Sequence, residues 1–178
     1  IVRGMVQGKL LNSEHISVSD INETILMQLK EFAPELATTS SNLVAIEKAD
    51  VIILAVKPWL VSVVADEIRK TVNYKKQILV SIAAGVDFKT LSGLFSDEAV
   101  IFRVIPNTAI EVMQSVSVVS SFKASKQQEA LIGSLFSESG KVFFVPENQL
   151  GAFTSLSSCG IASAFRYIRA AMEGGVEM

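Results

Sequence analysis

The chain has 178 residues, of which 49% are hydrophobic and 19% charged, with a formal net charge of −2. Its charges form no basic block, so neither nucleic acid nor an acidic membrane surface is expected as a partner. No apolar run approaches the roughly 18 residues a membrane-spanning helix needs, so the apolar content is expected in a thick core or a subunit interface.

From the first residue, IVRGMVQGKLL (1–11) reads as the back half of a helix ending near Gly8. HISVSD (15–20) is a short β-rich run. INETILMQLKEF (21–32) sets Ile21, Ile25, Leu26, Leu29 and Phe32 at helical spacing and closes before Ala33-Pro34. Asn42 starts a helical turn, and Val51–Val56 is an unbroken apolar strand that stops at Lys57-Pro58. Pro58 to Lys70 is expected as a helix with Leu60, Val63, Val64 and Ile68 on one side. QILVSIAAGV (77–86) is a second near-continuous apolar strand. Asp87 suits the N-cap of a helix over 87–95, and AVIFRVIPNTA (99–109) is a strand followed by a turn. SVSVVSSF (115–122) alternates like an antiparallel or edge strand. SKQQEALIGSLFSES (125–139) is helical and KVFFVPE (141–147) a strand. From about Gln149 the pattern is helical, with a Ser/Gly break at 155–160. The stretch AMEGGVEM ends without the signature of a folded terminus, and the chain is expected to be a piece of something longer.

Strand and helix alternate up to residue 147, which implies βα units, a mostly parallel sheet and helices on both faces. The expected fold is α/β, a doubly wound Rossmann-type domain over 1–147, followed by the start of an all-helical region over 148–178. Cys159 and His15 are the only residues of their kinds. An internal disulfide is therefore ruled out, in keeping with a reducing cytoplasm, and neither a His-based metal site nor a Ser-His-Asp triad has its parts.

Ligands of open α/β sheets bind outside the carboxyl ends of the strands. Here those ends read Ala55-Val56-Lys57-Pro58, Ile82-Ala83-Ala84-Gly85 and Pro106-Asn107-Thr108. Proline suits the first helical position, where its missing N–H costs nothing. The alanines and glycine remove bulk, so a flat ring or sugar-phosphate can approach the backbone, and Asn107 offers both a donor and an acceptor. Each turn alone is as well explained by tight helix packing; three in succession point to a ligand.

The blocks ADVIILAVKP, LVSIAAGV and RVIPNTA, in this order, resemble the pyrroline-5-carboxylate reductase family, where they occur as A-D-x-x-x-x-A-V-K-P, V-S-x-A-A-G-V and R-x-M-P-N-T-P. SESGKVFFVPE resembles that family's S-x-x-G-x-x-x-x-V-x-E, and Thr154–Phe165 falls where its L-S-G-S-G-P-A-Y-x-F belongs. The resemblance implies an NAD(P)H-dependent oxidoreductase of proline biosynthesis. It would pass hydride to the C=N carbon of a cyclic imine, and its G-x-G-x-x-A phosphate turn would precede Ile1. By position, Asn42 would contact the adenosine ribose region. Ala55, Val56, Lys57 and Pro58 would line the cofactor, Ile82, Ala83 and Ala84 would border the nicotinamide ribose, and Asn107 would lie near the nicotinamide. Asp20 sits where an acidic group bonds a ribose 2′-hydroxyl, favouring NAD, while Ser19 beside it could serve NADP. The helical tail implies a homodimer or larger homo-oligomer.

The substrate loop departs from the family. Ser157-Ser158-Cys159-Gly160-Ile161-Ala162 retains Ser157, Gly160 and Ala162 but has lost a glycine and the proline. Its backbone amides, at an expected helix start, would hold the substrate carboxylate. Cys159 reads better as a small filler residue than as a reactive thiol, Arg166 better as a surface or interface residue than as a substrate contact, and Ala109 replaces a family proline. No one acid stands out as proton donor. Two alternatives stay open: a paralogue reducing another imine or carbonyl, and a nucleotide-binding or assembly protein without turnover.

Overall fold

In the computed structural model, residues 1–177 are described; Met178, the last residue of the expected helical region, lies outside the described residues. Two sheets form. β1 (Ser17–Ser19) pairs in parallel with β2 (Ala37–Thr39). The larger sheet has the order β3 (Val51–Leu54), β4 (Ile78–Ser81), β5 (Ile101–Ile105), β6 (Ser115–Phe122) and β7 (Gly140–Phe144). All pairings are parallel except β5 with β6, which runs antiparallel with Ile105 opposite Val118.

Side chains alternate faces along a strand, and both faces are covered. Ile78, Val80, Phe102, Val104 and Val119 enter one core with Met5 of α1 (Val2–Gln7), Leu29 of α2 (Glu23–Phe32) and Ile132 and Phe136 of α6 (Lys126–Ser137). Ile52, Leu54, Leu79 and Ile101 enter the other, with Ile46 of α3 (Asn42–Ile46), Val61 and Ile68 of α4 (Val61–Ile68), and Phe88 and Leu91 of α5 (Phe88–Leu94). Burying side chains the size of Phe102 and Phe136 contributes about 2–3 kcal/mol each, and this double burial is why the β3 and β4 segments are apolar without alternation. The expected α/β architecture with a mostly parallel sheet is what the chain adopts.

Local chemistry explains the helix starts. Asn22 and Ser41 accept the amides of Thr24 and Val44, and Asp87 accepts that of Thr90. Ser125 and Gln128 form a reciprocal capping box on α6.

Several details differ from the expectations. The run Val51–Val56 is a strand only to Leu54, because Ala55 and Val56 already belong to the turn. β2 carries no apolar run and has no counterpart in the expected elements. The segment 58–70 opens with a 3₁₀ turn at Pro58–Leu60, and the rotation moves the buried face of α4 to Val61, Ala65 and Ile68. Leu60 and Val63 are consequently exposed. In α2 only Leu26 and Leu29 are buried, and Ile21 precedes the helix and stands in solvent. β6 is antiparallel as its alternation suggested, but lies inside the sheet, with β7 as the outer strand. The expected break at 155–160 is not a break: α7 (Leu150–Phe153) passes through a π-helical turn at Thr154–Cys159 straight into α8 (Gly160–Glu177).

Candidate functional site

The parallel strands β3, β4 and β5 deliver three corners to one end of the sheet. After β3, Ala55 is exposed, Val56 and Pro58 are half-buried and Lys57 is exposed; Lys57 occupies the N-cap of the 3₁₀ turn with Pro58 at its first position. After β4, Ile82 donates its amide to the Leu54 carbonyl at 3.2 Å, tying the first two corners together. The Ser81 hydroxyl accepts the Ala83 amide at 3.3 Å, Ala83 is buried and Ala84 is exposed. Gly85 then takes φ +81°, a left-handed conformation that disfavours any side chain, and a Cβ built there would meet nothing within 4 Å. The corner is therefore tight in its backbone and open above it.

After β5, Asn107 is 8% exposed and caps a 3₁₀ turn, Thr108–Val112. Its Oδ1 accepts the Ala109 amide at 3.2 Å and its Nδ2 donates to the Ser157 carbonyl at 3.0 Å. Asn107 thus links two protein segments with both ends of its amide.

At the end of β1 lies a polar corner. The Ser19 hydroxyl donates to Asn42 Oδ1 at 2.6 Å, and Asn42 Nδ2 donates to Glu67 on α4 at 2.8 Å. Asp20 accepts the Asn22 amide at 2.8 Å, an Asx turn leading into the Asn22-capped helix. Ser19, Asp20 and Asn42 thus lie at one corner, where Glu67, not among the expected site residues, joins them. Its side chain reaches Asn42 across 25 positions of sequence, and no local pattern marks it.

The serine segment lies in the π turn, with Ser157, Ser158 and Gly160 half-buried and Cys159 exposed. Three hydroxyls donate to carbonyls four residues back: Thr154 to Leu150 at 2.7 Å, Ser155 to Gly151 at 3.1 Å, and Ser157 to Phe153 at 2.8 Å. Such back-bonding competes with the main-chain amides for those acceptors, which loosens a helix. The helix start expected here, with free amides, is corrected to a continuous helix in which the Gly160 amide is bonded to the Ser155 carbonyl.

Glu147, the last residue of the SESGKVFFVPE block, was matched by its motif but given no role in the sequence reading. It accepts both the Phe88 amide and the Arg103 guanidinium at 2.7 Å, joining the start of α5, the middle of β5 and the segment leading into α7.

Comparison with known proteins fits this geometry. A family model described as NADP oxidoreductase coenzyme F420-dependent matches residues 1–85. A pyrroline-5-carboxylate reductase of Arabidopsis thaliana is 32% identical over 180 residues, spanning 99% of this chain and 63% of its own length. The solved pyrroline-5-carboxylate reductase of Coxiella burnetii superposes with a TM-score of 0.91 at 25% identity, over 99% of this chain and 66% of that one. The Plasmodium falciparum pyrroline carboxylate reductase with NADP bound gives 0.88 at 22% identity, over 99% and 64%. The chain spans 57% to 65% of the length of the curated relatives it matches first. Corner motifs, fold and relatives thus agree in likening the chain to the pyrroline-5-carboxylate reductases.

Proposed function

We propose that the protein is an NAD(P)H-dependent oxidoreductase that reduces 1-pyrroline-5-carboxylate to L-proline. The observation that carries this reading is the alignment of three slim corners, Ala55–Pro58, Ile82–Gly85 and Asn107, beside a hydroxyl-rich turn at 154–159 bonded to the last of them. The residues fit a dinucleotide. Open space lies above Gly85, small side chains stand at Ala55, Ala83 and Ala84, and the Ser19–Asn42 pair at the far corner suits a ribose. The relative solved with NADP bound shares this fold.

The corners Ala55–Pro58 and Ile82–Gly85 would hold a reduced dinucleotide, which when bound would supply a hydride for the imine carbon. The chain's own residues orient and exclude. Ala83, Ala84 and Gly85 keep bulk off the ring's path, and Pro58 and the Ile82–Leu54 bond hold the rim. Ser157, Ser158, Cys159 and Gly160 form the flank on which the substrate carboxylate is placed. Positioning of two reactants is enough for most of the acceleration such a transfer needs, with effective molarities on the order of 10⁵ M or higher.

Residues 1–147 serve in this reading as the dinucleotide-binding domain and 148–178 as the beginning of a helical domain. Phe165, Ile168, Met172 and Val176 of α8 are 51–87% exposed along one stripe. A second copy of the chain covers that stripe, giving a homodimer or larger assembly in the cytoplasm. Among the described residues no helix is long and apolar enough to cross a membrane.

Oxidation of NADH or NADPH by the full-length protein, followed with 1-pyrroline-5-carboxylate as acceptor, tests the reading. Turnover supports it. Dinucleotide binding without pyrroline reduction favours a reductase of another imine or carbonyl, which the bonded Gly160 amide in place of a free helix start would suit.

A further inference from the structure

We infer that Asn107 is a positioning residue, whose side-chain amide anchors the π turn at Thr154–Cys159 so that the β5 corner and the serine segment are set as one unit. This rests on the reading above, which gives the cofactor to the first and the imine acid to the second.

A π turn is rare, occurs mostly as a single turn inside an α-helix and is frequent at functional sites. The sequence here favours it through the hydroxyls of Thr154, Ser155 and Ser157, each bonded to a carbonyl four residues back. Hydroxyls loosen the helix but do not decide where the widened turn points. Asn107 supplies that information. Among the described residues, its 3.0 Å bond to the Ser157 carbonyl is the hydrogen bond joining the 105–115 region to the 150–160 region; the remaining support is apolar contact of Ile105 and Val118 with Leu150 and Phe153.

Two bonds orient the side-chain amide, and a third holds the backbone that carries it. Oδ1 must face the Ala109 N–H, which a flipped amide would meet with its own hydrogens. The Asn107 main-chain amide donates to Ser115 Oγ at 3.3 Å, and Ser115 Oγ lies 3.2 Å from Ser117 Oγ, all in the buried interior. A donor held this rigidly is poorly suited to swing toward a nicotinamide carboxamide and well suited to hold a neighbouring carbonyl. A displacement of the serine segment by about an ångström, as loss of this bond would permit, is enough to spoil transfer geometry.

The test uses the full-length protein with Asn107→Asp and Asn107→Ser. Both leave an oxygen for the Ala109 N–H and remove the amide nitrogen that reaches the Ser157 carbonyl, the serine hydroxyl being too short to replace it; the serine variant covers the case in which the aspartate variant fails to fold. The expected result is a KM for 1-pyrroline-5-carboxylate raised roughly tenfold or more, with dinucleotide Kd, read by Trp59 fluorescence, within about twofold of the parent. Hydrogen exchange at amides 156–161 should accelerate about tenfold relative to β5. An unchanged KM overturns the proposal. So does an equal loss of dinucleotide affinity, which would make Asn107 a direct cofactor ligand. If the parent protein reduces no pyrroline, the proposed function fails, and exchange alone decides the anchor: faster exchange sustains it and unchanged protection overturns it.

Discussion

Arg103 Nη1 lies 2.7 Å from Glu147 Oε1, and that same oxygen accepts the Phe88 amide at 2.7 Å. One carboxylate thus closes two bonds between elements far apart in sequence. The Arg103 guanidinium also stands 6.0 Å from the Phe88 ring, while its Nε is buried without a partner. Its side chain is 9% exposed, that of Glu147 34%. Removing the carboxylate would strand a buried cation, whereas removing both groups would not. Glu147→Ala is expected to lower the unfolding free energy by about 2–4 kcal/mol, toward the lower figure because Glu147 is partly hydrated. Urea unfolding of Glu147→Ala beside the double variant Arg103→Met/Glu147→Leu checks this, the double variant lying closer to the parent.

The Ser19–Asn42–Glu67 chain ends on a carboxylate, with Asp20 nearby on the same corner. Negative charge there opposes a 2′-phosphate more than a 2′-hydroxyl. Glu67→Gln keeps a hydrogen-bond acceptor for Asn42 and removes the charge. The affinity ratio of NADPH to NADH should rise about three- to tenfold, the modest size reflecting solvent screening. A ratio that stays put in fluorescence titrations contradicts the assignment.

Two glycines predict unequal penalties. At Gly85 only the left-handed backbone resists a side chain, and Gly85→Ala should cost about 1 kcal/mol. At Gly140, φ is +143° and a Cβ would lie 2.1 Å from the Ser115 carbonyl oxygen. Gly140→Ala should cost roughly 3 kcal/mol or prevent folding. Thermal melts of the two variants side by side give the order.

Acid should erode stability through two surface carboxylates. Hydrogen bonds from Thr90, side chain and then backbone, hold Asp87 below its ordinary 3.8, and bonds from Lys126 and then Ser121 hold Glu129 below its ordinary 4.5. Folding favours the charged form in both cases. Their contribution is therefore complete above the ordinary values and disappears as pH falls through the lower folded ones. Tm should decline from about pH 5 downward, and Asp87→Asn with Glu129→Gln should flatten part of that slope.

What was legible in the sequence was whatever a short window encodes. Near-continuous apolar runs gave β3 and β4, and a run interrupted by Arg103 gave β5; their abrupt endings at Lys57-Pro58, Ala83-Ala84-Gly85 and Asn107 located the corners. Caps such as Asp87 were equally local. β2 escaped because Ala37-Thr38-Thr39 has no apolar run, its strand conformation coming from pairing with β1. The buried face of α4 was displaced because a 3₁₀ turn after Pro58 resets the helical phase. Glu67 and Glu147 act across 25 and 44 positions or more, on partners that only the fold brings near. The π turn was read as a break because serine and glycine signal interruption equally well when the hydroxyls fold back onto their own helix.

β7 forms the outer flank of the larger sheet, its far row of amides and carbonyls paired with no strand among the described residues. Gly140-Lys141-Val142-Phe143-Phe144 is apolar but for one ammonium group, and both phenylalanines are nearly half exposed. A flank of this kind can template stacking between molecules, and a lysine on it is a natural deterrent. Colloidal behaviour in concentrated solution therefore rests heavily on Lys141: neutralising it should cloud a preparation long before it unfolds one.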